Sequence, residues 1–168
     1  VLGRTVGQER LPGAEVDELV LRDLTMSPCL EIFGCKRDGR CVIRDDFQQV
    51  HDRLVACDGI MLASPIFFYT VSAHTKILMD RCQSLWVKRH WIDQVPFGSK
   101  EFGKKGLFIS VGATGGKRLF EGTLLTVRYF FEAIDTSLWR TLLYRRLDEA
   151  GAVQDHPAYL DEARQAGR

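Results

Sequence analysis

The stretch Gly59 to Trp86, GIMLASPIFFYTVSAHTKILMDRCQSLW, decides the fold. Gly59 to Ala63 is a short apolar run, the pattern of a strand buried on both faces. Ser64-Pro65 ends it, because proline has no N–H to give to a ladder. Val71 to Trp86 is long enough for a helix, and Ile77, Leu78, Cys82 and Leu85 fall at helical spacing. Between strand and helix lie Ile66, Phe67, Phe68, Tyr69 and Thr70. In an open parallel sheet the carboxyl ends of the strands are where ligands bind. Bulky apolar and aromatic residues at that end are costly unless something flat and apolar covers them. The alternative is a hydrophobic loop tucked into a core or a subunit interface.

Leu107 to Val111 is a second buried-strand run. It ends in Gly112, Ala113, Thr114, Gly115 and Gly116, at the same sheet edge as the aromatic loop. Glycines there let a backbone approach a ligand closely. Leu119 to Ile134 is read as a helix, with Leu124, Val127, Phe131 and Ile134 on one stripe. Ser137 to Tyr144 is read as the last strand. Asp155-His156-Pro157 is a helix-start signal, and Tyr159, Leu160 and Ala163 would dock that helix on the sheet.

Upstream, Asp45 or Asp46 caps a helix, and Asp45 with Gln48 resembles a capping box. Phe47, Val50 and Leu54 line its apolar face, with His51 at the surface or boundary. Ala14 to Leu21 is read as a strand. Val1 to Leu11 carries a weak helical pattern, stopped at Pro12-Gly13. After Trp86 the chain is irregular. Lys88-Arg89-His90 would contact an anionic cofactor phosphate or, by preference, form a solvated charge run. Trp91, Phe97 and Phe102 would cover a ligand or, by preference, pack between subunits.

The chain has 168 residues, 45% hydrophobic and 27% charged, with a formal net charge of +1. That supports one domain over residues 1–168 and gives no electrostatic case for nucleic acid or an anionic membrane. No run is long and apolar enough for a membrane span, and no signal-peptide pattern opens the chain. Five cysteines, an odd number, read as thiols or ligands and not as a disulfide framework. The cytoplasm is the expected compartment. There is no Ser-His-Asp arrangement, H-E-x-x-H or P-loop.

SPIFFYTVSAHTKILMDR resembles the signature of the flavodoxin-like NAD(P)H-dependent FMN reductases, and within them the iron–sulfur flavoproteins. The resemblance implies an α/β, flavodoxin-like three-layer sandwich with a parallel sheet of order 2-1-3-4-5. It implies FMN as cofactor and NAD(P)H as co-substrate, with hydride transfer through FMN to a small-molecule or protein electron acceptor. The flavin-binding residues it implies are Ser64, Pro65, Ile66, Phe67, Phe68, Tyr69, Thr70 and Val71, with Gly112, Ala113, Thr114, Gly115 and Gly116. Lys117 and Arg118 would meet nucleotide phosphates or stay solvated, and His74 would face the pocket or the helix surface. A homodimer or homotetramer is implied. No catalytic acid or base is required, since the hydride chemistry is the flavin's own. Two other functions stay open: an electron carrier without NAD(P)H oxidation, and a flavodoxin fold kept as an interaction or metal-binding protein.

The family opens with a strand and a phosphate-binding loop that nothing here matches, so the first strand is expected to be missing from this chain. About twenty to thirty further residues, a strand and part of a helix, would precede Val1. Ser27 to Cys41, SPCLEIFGCKRDGRC, resembles the iron–sulfur pattern P-C-x-x-C-x-x-C-x-x-x-G-x-C-V-I-x-D-D. Cys29, Cys35 and Cys41 take its first, third and fourth cysteine positions, and Gly39, Val42, Ile43, Asp45 and Asp46 fit. Ile32 stands at the second and cannot ligate. A cubane cluster needs four thiolates, so a complete iron–sulfur cluster is not expected unless an upstream residue supplies the fourth. Zinc on the three cysteines and a histidine is the other metal reading. Cys57 and Cys82 are read as core residues.

Overall fold

The computed structural model describes residues 15–167. The readings over Val1 to Leu11 and at Ala14 lie outside them. Three parallel strands form one sheet in the order β1 (Gly59–Pro65), β2 (Lys104–Gly112), β3 (Thr136–Arg145). The helices are α1 (Phe47–Ala56), α2 (Ala73–Arg81), α3 (Gln83–Val87), α4 (Glu121–Ala133) and α5 (Pro157–Ala166). This is a flavodoxin-like α/β arrangement, and its strands run in the order of the 3-4-5 half of that sheet.

Side chains alternate across the strands, so the two faces build two cores. One core packs Leu62 of β1 and Phe108 of β2 against Phe47, Val50, Leu54, Leu78, Met79, Leu85, Val127, Phe130 and Phe131 of α1 to α4. The other packs Leu107, Leu142 and Tyr144 against α5, through Ala166 and Tyr159. Tyr159 stacks on Tyr144 with ring centroids 4.4 Å apart, and the Tyr144 hydroxyl donates to the Tyr159 carbonyl. Burial, followed by the charge of nearby Glu162, pushes that phenol up to about 12.

Several expectations need correction. β1 is buried on one face only: Leu62 and Ser64 are covered while Gly59, Met61 and Ala63 are exposed. The second core does not include β1, and among the described residues nothing buries that face. Glu15 to Val20 forms no strand and runs into a 3-10 turn at Leu21–Asp23. Backbone groups need a partner to form a ladder, and here Leu19, Leu21 and Leu24 pack on the first core instead. The helix expected over Val71 to Trp86 is two helices. Ser72 caps the first, its hydroxyl oxygen accepting from the Thr75 N–H. The two meet at Cys82, a turn residue that stays right-handed at φ −69° and ψ 0°, and a π turn at Lys88–Ile92 follows α3. Only half of the capping box forms: the Asp45 N–H donates to Gln48 Oε1 at 2.9 Å, but the Gln48 N–H donates to the Asp45 backbone carbonyl, and the N-cap residue Asp46 makes no side-chain cap.

β2 and β3 slip by one residue after Gly106, where Trp139 bulges out and is exposed. Gly106 is where α4 presses hardest on the sheet. A Cβ there would sit 2.8 Å from the Phe131 ring and 2.9 Å from Thr136. Gly106→Ala is expected to cost about 1–3 kcal/mol by overpacking, read as a lower urea midpoint at unchanged slope.

Candidate functional site

The register pairs Pro65 with Val111, so β1 and β2 end side by side. The Ile66 N–H donates to the Val111 carbonyl at 3.0 Å and carries the pairing one residue further. Buried Ser64 closes the loop that follows. Its hydroxyl donates to the Pro65 carbonyl and accepts from the Ser72 N–H, each at 3.0 Å. The Ser110 hydroxyl donates to the Ser64 carbonyl at 2.7 Å. One pair of serines thus pins both ends of the aromatic loop to the sheet.

Inside it the chain folds into a two-residue hairpin. Phe67 and Thr70 exchange N–H···O bonds of 2.9 and 3.0 Å. Phe68 and Tyr69 form the tip at φ of 50° and 63°. Both being positive makes it the primed hairpin turn that favours Asn-Gly. For L-residues the left-handed region costs about 1–2 kcal/mol each. Phe68 is 100% exposed, with Phe67 and Tyr69 each 56% exposed. The fold therefore holds three aromatic rings in water on a strained backbone. The first turn of α4 fixes the tip: the Thr123 hydroxyl donates to the Tyr69 carbonyl at 3.1 Å. A Cβ on Gly122 would come within 2.9 Å of the same oxygen.

The Gly112–Gly116 loop lies on the same edge. Ala113 to Gly116 are exposed, and Leu119 fills the space a side chain at Gly112 would need. Among the described residues the N–H groups of Phe68, Tyr69 and Ala113 to Gly116 have no backbone acceptor. The end of β3 completes the edge. Arg145 donates to the carbonyls of Gly116 and Lys117 and lies over the Phe120 ring. The Arg146 N–H donates to the Thr114 carbonyl, and its guanidinium lies against Gly115. Sequence reasoning missed both arginines, Gly122 and Thr123; two adjacent arginines closing an apolar strand were the available signal. Arg118 pairs with Glu121 at 2.7 Å. Lys88 pairs with Asp93, and Arg89 with Asp135, so that charge run is spent within the chain. His74 is exposed on α2.

Cys29, Cys35 and Cys41 line one recess together with Ile32. Burial pushes the Cys35 thiol up, and the nearby sulfurs of Cys41 and Cys29 push it the same way. The donor set is three thiols beside an isoleucine, which does not fit a four-thiolate cluster. Among the described residues no three His, Cys, Asp or Glu side chains are grouped to hold a metal ion. Protein bonds order the segment instead. Arg81, with its side chain 0% exposed, donates to both oxygens of Asp45 at 2.6 and 3.1 Å and to the carbonyls of Ser27 and Ile43. Its guanidinium also lies over Phe47. Asp45 accepts further bonds from the N–H groups of Ser27 and Phe47. Desolvation would raise that carboxyl, but the bonds from Arg81, Ser27 and Phe47 hold it below the ordinary carboxylate value.

His51 is 6% exposed, buried where a surface or boundary position was expected. It packs edge-on to Phe47 with Nδ1 3.1 Å from Asp52. Cys82 is 1% exposed, and burial pushes its thiol far up, as suits a core residue. Trp86 is the hub of an aromatic group with His90, Trp91 and Phe97. Phe97 stays 71% exposed.

The family model for NADPH-dependent FMN reductase matches residues 2–136. An iron–sulfur flavoprotein of Methanocaldococcus jannaschii is 34% identical over 121 residues, covering 71% of this chain and 56% of the relative. One of Archaeoglobus fulgidus is 30% identical over 128 residues, covering 75% and 62%. The chain therefore spans less than two thirds of the length of these relatives. A solved structure of a flavone reductase superposes with a TM-score of 0.58 at 18% identity, over 93% of this chain and 51% of the other.

Proposed function

The chain belongs to the NADPH-dependent FMN reductase family, and from that premise we propose that it is an FMN-binding, NAD(P)H-dependent oxidoreductase serving a small-molecule or protein electron acceptor. The observation that carries this reading is the Phe67–Thr70 hairpin: strained, aromatic and open to solvent beside a glycine loop. Strained backbone persists only where the surroundings over-determine it, and such positions cluster at ligand clamps. A planar, largely apolar ring is the chemistry that would cover it.

In this reading the residues Ser64 to Val71 support the flavin ring, and Gly112 to Gly116 approach it from the next loop. The unpaired N–H groups at both loop tips suit the carbonyl and nitrogen acceptors along the ring edge. Ser64, Ser110 and Thr123 hold the two loops at a fixed separation, so the ring meets a preorganised surface. Bound FMN would supply the hydride-accepting chemistry. The exposed Trp91 and Phe97 favour self-association, which sedimentation of the holoprotein would read.

The test is an anaerobic absorption spectrum of the purified full-length protein, with metal analysis, before and after NADPH or NADH. Flavin bands that bleach with either nucleotide are expected. Bands that bleach only with dithionite would move the protein to the electron carriers. A colourless protein that takes up no added FMN would sink the reading. No helix among the described residues is long and apolar enough to cross a membrane.

A further inference from the structure

We propose that the guanidinium of Arg146 is the anchor for a phosphoryl group of the nucleotide substrate, held over Gly115 at the carboxyl edge of the sheet. The inference rests on the function proposed above for the neighbouring loops, and names the group that would receive that substrate's charge.

Three observations carry it. The first is backbone conformation. Arg146 has φ of 61°, in the left-handed region where glycine sits without strain and arginine does not. A side chain needed only for solubility gives no reason to hold an arginine there. The second is the space beneath it. A Cβ on Gly115 would lie 2.9 Å from Arg146 Nε and 3.6 Å from Cζ. In its present rotamer the guanidinium rests in the space that a side chain at position 115 would take. The Arg146 N–H meanwhile ties the same loop through the Thr114 carbonyl.

The third is the state of the charges. Arg145 is committed to the Gly116 and Lys117 carbonyls and to Phe120. Arg118 is committed to Glu121. Lys117 is exposed and follows the loop directly. Asp148 and Glu149 are exposed just beyond Arg146, but neither pairs with it. Among the described residues the Arg146 side chain makes no hydrogen bond and no ion pair. An arginine fork with free donors matches a phosphoryl group bidentately. Its position beside Gly112–Gly116 puts that group at the mouth of the proposed flavin site.

The test uses the full-length holoprotein and two nucleotide probes that carry phosphate but no nicotinamide, adenosine 2′,5′-bisphosphate and ADP. Their Kd values are measured by calorimetry for wild type, Arg146→Gly and Arg146→Lys. Glycine is free of strain at this φ, so Arg146→Gly should fold with an equal or higher Tm. Removing a charge-assisted contact is expected to weaken binding about 10- to 100-fold, with Arg146→Lys recovering part of it. A loss confined to the 2′,5′-bisphosphate assigns the 2′-phosphate, a loss confined to ADP assigns the diphosphate, and a loss for both probes assigns the 5′-phosphate they share. Each of these results supports the anchor. Unchanged affinity for both probes overturns it, as does a loss of FMN affinity with nucleotide binding intact. A wild type that binds the probes but is not reduced by NADPH or NADH sinks the reductase reading and leaves the anchor standing. A wild type that binds neither probe overturns the anchor itself.

Discussion

Arg81→Ala is expected to destabilise the fold by about 3–5 kcal/mol, the range for removing one partner of a buried, hydrogen-bonded ion pair. The side chain of Arg81 is wholly buried, and that of Asp45 is 10% exposed. Without the guanidinium, Asp45 keeps its charge in a dry site, and the carbonyls of Ser27 and Ile43 lose their donor. Both ends of the cysteine segment are released at once. Arg81→Lys should recover little, because an ammonium cannot reach two carboxylate oxygens and two carbonyls in one plane. Chemical unfolding at pH 7 measures the difference. Its pH dependence has a definite sign. The Asp45 carboxyl is held below its ordinary value of 3.8, so the pair contributes fully above that value and is lost as pH falls through the lower folded one. The gap between wild type and Arg81→Ala should be widest near neutrality and close in acid. A variant within 1 kcal/mol of wild type at pH 7 would show that the segment is held some other way.

Replacing Phe68-Tyr69 with Asn-Gly should move stability and binding in opposite directions. Asn-Gly is the pair this hairpin turn favours, so the strain of two left-handed aromatic residues is removed. The Tm should rise, by an amount corresponding to about 1–3 kcal/mol. FMN affinity should fall about 10- to 100-fold, since two aromatic faces leave the surface proposed to hold the ring. Fluorescence titration of the apoprotein with FMN reads the second effect and thermal melting the first. A stabilised variant that binds FMN as wild type does would remove the hairpin from the site. A variant that loses both stability and binding would mean that the rings are packed and not exposed.

Two of the three strands were legible because Gly59–Ala63 and Leu107–Val111 are apolar runs bounded by Pro65 and by Gly112. The Asp45–Gln48 bond and the start of α5 at Pro157 were legible because helix-start signals are local, although α5 has His156 as its N-cap and no side-chain cap bond. The missing thiol donor was legible at Ile32. What local patterns do not carry is pairing across the chain. Nothing local marks Arg81 as buried, because its partner Asp45 lies 36 residues away. His51 reads as a boundary residue until α1 packs down on its own Phe47. Glu15 to Val20 has strand-like composition, but composition does not supply a neighbour to bond with. The hairpin tip carries no glycine or asparagine, so nothing in Phe68-Tyr69 announces a left-handed turn. Arg146 shows the same limit: its left-handed φ and the partners Arg145 takes instead of it are both invisible in the sequence.

The ladder register has a kinetic consequence. Gly59 bonds beside Lys105, and Lys104 beside Thr136. Every rung of this parallel sheet closes a long loop of chain before any hydrogen bond rewards it. Topologies of that kind fold on the slow side, in milliseconds to seconds. During synthesis β1 leaves the ribosome before its partner β2 has been made. For that interval the edge of β1 that β2 will cover is unpaired beside the Phe67–Tyr69 rings, and that is the interval in which a chaperone would find most to hold.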